Sequence, residues 1–137
     1  MIRGLSMGGH GALYLSLKHQ DIFGAAVSMS LEVNIWTLSE KWDIKKRLGV
    51  VTDFPERWER ISVINTIELN QNNILKLIID CDMENFLLIS TENCTKKMVT
   101  LKIENDYIER PGKHNIGYWK NSLKFKLLFF SNFLILP

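Results

Sequence analysis

Apolar and polar positions switch between two periods along this chain, and the switches mark out its elements. The first strand is only a stub, because Met1-Ile2-Arg3 alone precede a glycine-rich turn. "GGHGALYLSLKH" then reads as a helix with Leu13 and Leu17 on one face. "FGAAVSMS" is a short run of small and β-branched residues, the composition of a strand covered on both faces. From Leu31 to Ile61 the pattern is irregular with short helices, and Pro55 fits a first helical turn ahead of "ERWERI". "ILKLIID" (Ile74 to Asp80) is a buried strand, "FLLISTENCTKKMV" a helix and "IENDYIER" a further strand. In the last helix Trp119, Leu123, Leu127, Phe130 and Leu134 follow 4, 4, 3, 4 spacing, an apolar face expected to pack on a sheet.

Strands alternating with helices in this way predict an α/β architecture: a mainly parallel sheet, flanked by helices and joined by right-handed crossovers. No repeat, low-complexity tract or linker breaks residues 1–137, so the chain is expected to form one unit.

Composition acts mainly by exclusion. With 46% apolar and 23% charged residues, the chain has the make-up of an ordinary globular protein. A net charge of +2 gives no ground for a nucleic-acid or anionic-membrane partner, and Lys45-Lys46-Arg47 reads as a solvated helix end. The apolar tail "KFKLLFFSNFLILP" is too short and too interrupted by Lys124, Lys126, Ser131 and Asn132 to span a membrane. No leader is visible ahead of the glycine-rich turn, so the cytoplasm is the expected default, and the location stays open if a signal lies ahead of Met1. Cys81 and Cys94 are expected as two reduced thiols. His10, His19 and His114 are too widely separated to predict a metal, and no cofactor is expected.

The candidate chemistry lies in "RGLSMGGHG". Gly4-Leu5-Ser6-Met7-Gly8 is a G-x-S-x-G pattern between a would-be strand and a would-be helix, the setting of a nucleophile elbow. Flanking glycines suit a turn too sharp for neighbouring side chains. The helix that follows aims its first N–H groups at the serine, and the Met7 N–H would serve as an oxyanion donor. A serine needs a base, and the base an orienting acid, in the chain order serine, acid, histidine for such a fold. "IDCDMENF" supplies an acidic loop after a strand, and His114 follows in the glycine-proline loop "RPGKHNIGYW". His10 and His19 are assigned to helix packing and to the helix C-terminus.

With these blocks in place, the chain resembles the esterase branch of the α/β-hydrolases, which includes esterase D (S-formylglutathione hydrolase), tributyrin-type acetylesterases and feruloyl or acetyl-xylan esterases. The resemblance runs through "GLSMGGHGALYLSLKHQDIFGAAVSMS", "WDIKKRLG", "PERWE", "SVIN", "IDC…ENFL" and "DYIERPGKHN…YWKNS". It implies ester hydrolysis through an acyl-enzyme, with Ser6 as nucleophile, His114 as base and a small-molecule ester as substrate. The family's acid loop resembles D-C-G-T-E-D-F, whose second aspartate is the triad acid. Here the loop reads Asp80-Cys81-Asp82-Met83-Glu84-Asn85-Phe86, which puts Asn85 in the acid slot. Asp82 or Glu84 would replace the acid only if the loop shifted.

Further departures follow. Asp82 replaces a loop glycine, Lys102 and Glu104 stand where the family has Gly and Pro, and Leu31-Glu32 replace a glycine pair; strained or loosened turns are expected there. In this family several strands precede the elbow and carry the second oxyanion donor. Their absence predicts the C-terminal portion of an α/β-hydrolase fold: a truncated form with impaired activity, or a non-catalytic fragment or partner module that needs a separate N-terminal half. It also predicts an open sheet edge able to self-associate. Trp36 and Trp42 either cover core or line an acyl or aromatic pocket, with core the favoured reading.

Overall fold

A computed structural model describes residues 1–134, with side chains through residue 132. Its centre is one parallel sheet of four strands in chain order: β1 (Ile2–Leu5), β2 (Ala25–Met29), β3 (Lys76–Asp82) and β4 (Asp106–Arg110). Leu5, Met29, Asp80 and Ile108 lie side by side across it. The helices are α1 (Met7–Lys18), α2 (Lys45–Leu48), α3 (Pro55–Ile61), α4 (Val63–Thr66), α5 (Leu88–Thr100) and α6 (Ile116–Leu134). This is the expected α/β fold, and Pro55 begins its helix as predicted.

One face of the sheet carries the larger core. Leu13 and Leu17 of α1 and Cys94 and Met98 of α5 meet Ala26, Leu77 and Ile79 there. That both connecting helices lie on one face is what same-handed crossovers between neighbouring parallel strands require. On the other face Val27, Met29 and Ile78 meet Phe129 and Phe130 of α6. Every residue of β2 is therefore buried, as its small side chains predict. Both cysteines are free and buried, and burial pushes each thiol up to about 12. Among the described residues no helix is long and apolar enough to cross a membrane.

Three expectations change. The strand predicted from Ile74 starts at Lys76 and runs on to Asp82, while Ile74 is 57% exposed. Trp36 and Trp42 do not cover core: both are exposed, and Trp58 fills that place, fully buried with its Nε1–H donating to the Gly49 carbonyl. The third change concerns α6. Of the predicted face Phe130 is buried and Trp119 packs on the sheet core, but Leu127 is 55% exposed, and Tyr118, Ser122, Lys126 and Phe129 are buried as well; the side chain of Leu134 lies outside the described ones.

A buried carboxylate accounts for the polar residues on the buried face of α6. Asp80, on the α6 face of β3, is fully buried and accepts hydrogen bonds from Ser122 Oγ (2.8 Å), Lys126 Nζ (2.6 Å), Arg110 Nη2 (2.6 Å) and the Tyr118 hydroxyl. Residues 118, 122 and 126 recur every four positions, so one helix face meets the charge. Burial acts to raise the Asp80 pKa, but the donors from Lys126 and Tyr118 outweigh it and hold the group below the usual carboxylate range.

Of the turns expected to be strained, Lys102 has φ 58°, the left-handed backbone of the glycine it replaces. Leu31 and Glu32 carry no such strain, and the buried Glu32 carboxylate accepts from Asn34 N, Thr37 Oγ1 and Ser90 Oγ.

The glycines at the elbow are not equivalent. A Cβ on Gly4 would stand 1.9 Å from the Gly8 carbonyl oxygen, so this position admits no side chain. Gly8, by contrast, has nothing within 4 Å of such a Cβ, so lack of room does not account for it. Gly4→Ala is expected to destabilise the fold by at least the ~1–3 kcal/mol typical of overpacking, because backbone must move. Gly8→Ala should melt close to the unaltered chain. Urea unfolding of both variants checks this.

Candidate active site

All the predicted site residues sit at the carboxyl ends of the strands, where parallel α/β sheets hold their ligands. The Ser6 N–H makes the last sheet bond, to the Met29 carbonyl (2.8 Å). Its own carbonyl then accepts from Gly9 N (2.9 Å) and His10 N (3.1 Å), which starts α1. Between these two commitments Ser6 is held at φ 52°, ψ −123°. Such a backbone costs of order 1–3 kcal/mol and persists only where its surroundings enforce it. It pushes the side chain out of the turn, and the N–H of Met7 is among those a helix start leaves without an intrahelical acceptor.

His114 arrives from the loop after β4. Pairing between that loop and the one after β3 continues beyond the sheet, with Met83 N donating to the Arg110 carbonyl (3.0 Å) and Glu84 N to the Gly112 carbonyl (3.1 Å). The two loops are thereby held in register, which brings Asn85 to His114. His114 Nε2 lies 3.0 Å from Ser6 Oγ, and His114 Nδ1 lies 3.0 Å from Asn85 Nδ2. Ser6, His114 and Asn85 therefore form one chain of contacts from three loops. Trp119 closes edge-on to the imidazole at 5.1 Å between centroids.

Asp82, at the end of β3, is fully buried beneath this chain. Its Oδ2 accepts from Ser30 Oγ (2.6 Å) and Asn85 Nδ2 (3.1 Å), and stands 3.8 Å from His114 Nδ1. Glu84 points elsewhere, 3.7 Å from Lys113 at the surface. His10 is buried in packing, with Nδ1 2.8 Å from the Glu32 carbonyl oxygen, and desolvation lowers its pKa. His19 caps the end of α1. Among the described residues, no three His, Cys, Asp or Glu groups are placed to hold a metal ion.

Two participants escaped the sequence reading. Ser30 (φ 54°) anchors Asp82 and receives the Trp119 Nε1–H at 3.2 Å. Both lie inside the blocks "VSMS" and "YWKNS", but nothing local in either block marks a site.

A family model described as "Putative esterase" matches residues 1–130. The chain belongs to this esterase family. Similar solved structures include S-formylglutathione hydrolase from Staphylococcus aureus, at 22% identity and TM-score 0.79, with 93% of this chain and 52% of that one covered. The fluorophosphonate-binding serine hydrolase F of S. aureus matches at 23% identity and TM-score 0.77, covering 93% and 52%. A ferulic acid esterase matches at 24% identity and TM-score 0.75, covering 93% and 49%. The fold is thus that of a partial α/β-hydrolase, spanning about half the length of these structures. No curated protein matches the chain.

A cavity of about 500 Å³ opens beside Met7, lined chiefly by Ile35, Ile44, Leu48 and Trp42, with Lys46 and Arg47 also lining it. Trp42 lines this cavity, and Trp36 does not.

Proposed function

We propose that the chain is a serine carboxylic-ester hydrolase whose activity is impaired by the amide at position 85. The observation that carries this reading is the 3.0 Å approach of His114 Nε2 to the hydroxyl of a serine held in a strained strand-to-helix turn. Ser6 Oγ attacks the ester carbonyl carbon while its proton passes to Nε2 of His114. The carbonyl electrons move to oxygen, where the Met7 N–H donates to the oxyanion. Collapse expels the alcohol, which takes the proton from His114, and leaves the acyl group on Ser6. Water, deprotonated by His114, then releases the acid by the same steps in reverse order.

The cavity beside Met7 is proposed to hold the apolar part of the ester. Ile35, Ile44, Leu48, Ile61 and Trp42 supply most of its apolar lining and favour an apolar group, while Asp43, Lys46 and Arg47 also line it. Membership of the esterase family and the serine hydrolase neighbours support the reaction class. The impairment rests on Asn85, which brings no negative charge to stabilise an imidazolium.

Labelling with a fluorophosphonate tests the reading. Slow, saturable labelling is expected in the unaltered chain, and none in Ser6→Ala or His114→Ala variants that melt normally. Labelling that persists in Ser6→Ala would refute the assignment of the nucleophile.

A further inference from the structure

The hydrogen bonds around His114 fix which of its nitrogens carries the proton. Leu87 N–H donates to Asn85 Oδ1 at 3.0 Å, which identifies the amide oxygen and turns the amide nitrogen the other way. That nitrogen has two protons and accepts nothing. One proton is directed at Asp82 Oδ2 (3.1 Å) and the other at His114 Nδ1 (3.0 Å). An imidazole nitrogen that receives an N–H is the bare one, so the neutral ring keeps its proton on Nε2. Nε2 faces Ser6 Oγ, and in this tautomer it donates to the hydroxyl instead of accepting its proton.

Turning the amide over does not relieve this. Nδ2 would then oppose the Leu87 N–H, donor against donor, and Oδ1 would oppose Asp82 Oδ2, acceptor against acceptor. Asn85 is buried, so water does not make good the two lost bonds.

We infer that Asn85, clamped by Asp82 and the Leu87 N–H, locks His114 in the tautomer that donates to Ser6, so that the pair rests in a non-nucleophilic state. The inference rests on Ser6 as the proposed nucleophile and explains how the amide impairs it. Asp82 is a positioning residue, acting on His114 through Asn85. It is also the carboxylate poised to take over. Its Oδ2 is 3.8 Å from Nδ1, and its buried Oδ1 has no partner among the described residues. Once the amide is gone, a shift of under about 1 Å brings Nδ1–H within hydrogen-bond range of Asp82. The other charges nearby are already engaged: Glu84 with Lys113, Arg110 with Asp80, and Lys41 over the ring of Phe86, which packs near His114.

The test is the nitrogen NMR spectrum of the His114 ring in the full chain, recorded about two pH units above the ordinary imidazole value of about 6.5. In the unaltered chain Nδ1 is expected at the shift of a bare nitrogen and Nε2 at that of a protonated one. Asn85→Ala should reverse the two, and adding Asp82→Asn to it should restore the tautomer mixture of free histidine. A native chain showing Nδ1–H, or that free mixture, overturns the inference, and so does an Asn85→Ala spectrum identical to the native one. If Asn85→Ala does not fold, the native spectrum alone decides. The spectrum does not depend on turnover, so failure of the lock and failure of the hydrolase reading are separable. Tautomer reversal without labelling of Ser6 in any variant would sink the hydrolase reading and leave the lock standing.

Discussion

Exchanging the carboxylate and the amide, Asp82→Asn together with Asn85→Asp, is expected to speed fluorophosphonate labelling of Ser6 by up to about 10⁴-fold, the kcat cost of the converse change in a serine protease. The carboxylate introduced at position 85 would accept Nδ1–H of His114, leaving the Nε2 lone pair facing Ser6, and would stabilise the imidazolium as it forms. The amide introduced at position 82 would donate to that carboxylate across the 3.1 Å gap that Asn85 now spans in the opposite direction. The single variant Asn85→Asp should gain less. It sets two carboxylates against each other in a buried place, and such a pair holds on to a proton. The order expected in labelling rate is therefore double, then single, then unaltered. A single variant as fast as the double would show that Asp82 exerts no influence on position 85.

Asp80→Asn should be the most destabilising polar change, by about 3–5 kcal/mol, because it strands Lys126 as a buried charge. Lys126 is fully buried, and no other carboxylate bonds its Nζ in the described structure. Against a total stability of about 5–15 kcal/mol, that loss endangers folding. Lys126→Met should cost much less, since Asp80 keeps Arg110, Ser122 and Tyr118 and the methionine fills the same space. Urea unfolding of the two variants at neutral pH checks the asymmetry; equal losses would mean that the charge pairing is not what matters.

A pH dependence follows with a definite sign. The folded Asp80 has its pKa below the unfolded value, so its contribution is complete above about pH 4 and is lost as pH falls through the folded value. Asp80→Asn should lack that part of the acid-side slope.

Much of the fold was legible because its sheet is buried on both faces. Continuous apolar runs such as that of β2 specify a strand however the rest is arranged. The orientation of α6 was legible only in part. Spacing of apolar residues placed Phe130 and Trp119 on the sheet but also chose Leu127, while the buried face carries Lys126 and Ser122. A hydrophobic pattern does not register a carboxylate on a distant strand, and that charge is what Ser122 and Lys126 meet on the buried side.

The site divides along the same line. By itself the sequence determined the elbow, the order of serine, acidic loop and histidine, and the amide at position 85, because each is a matter of residue type and local spacing. Only the tertiary structure decided what those residues do to one another. Loop pairing beyond β3 and β4 sets Asn85 against His114, and the Leu87 N–H fixes which end of the amide faces it. Asp82 lies beneath both, between Ser30 and the imidazole. A tautomer depends on donors and acceptors that converge from segments up to 108 positions apart in the chain. Hydrogen-bond direction is a property of assembled neighbours, so no reading along the chain supplies it.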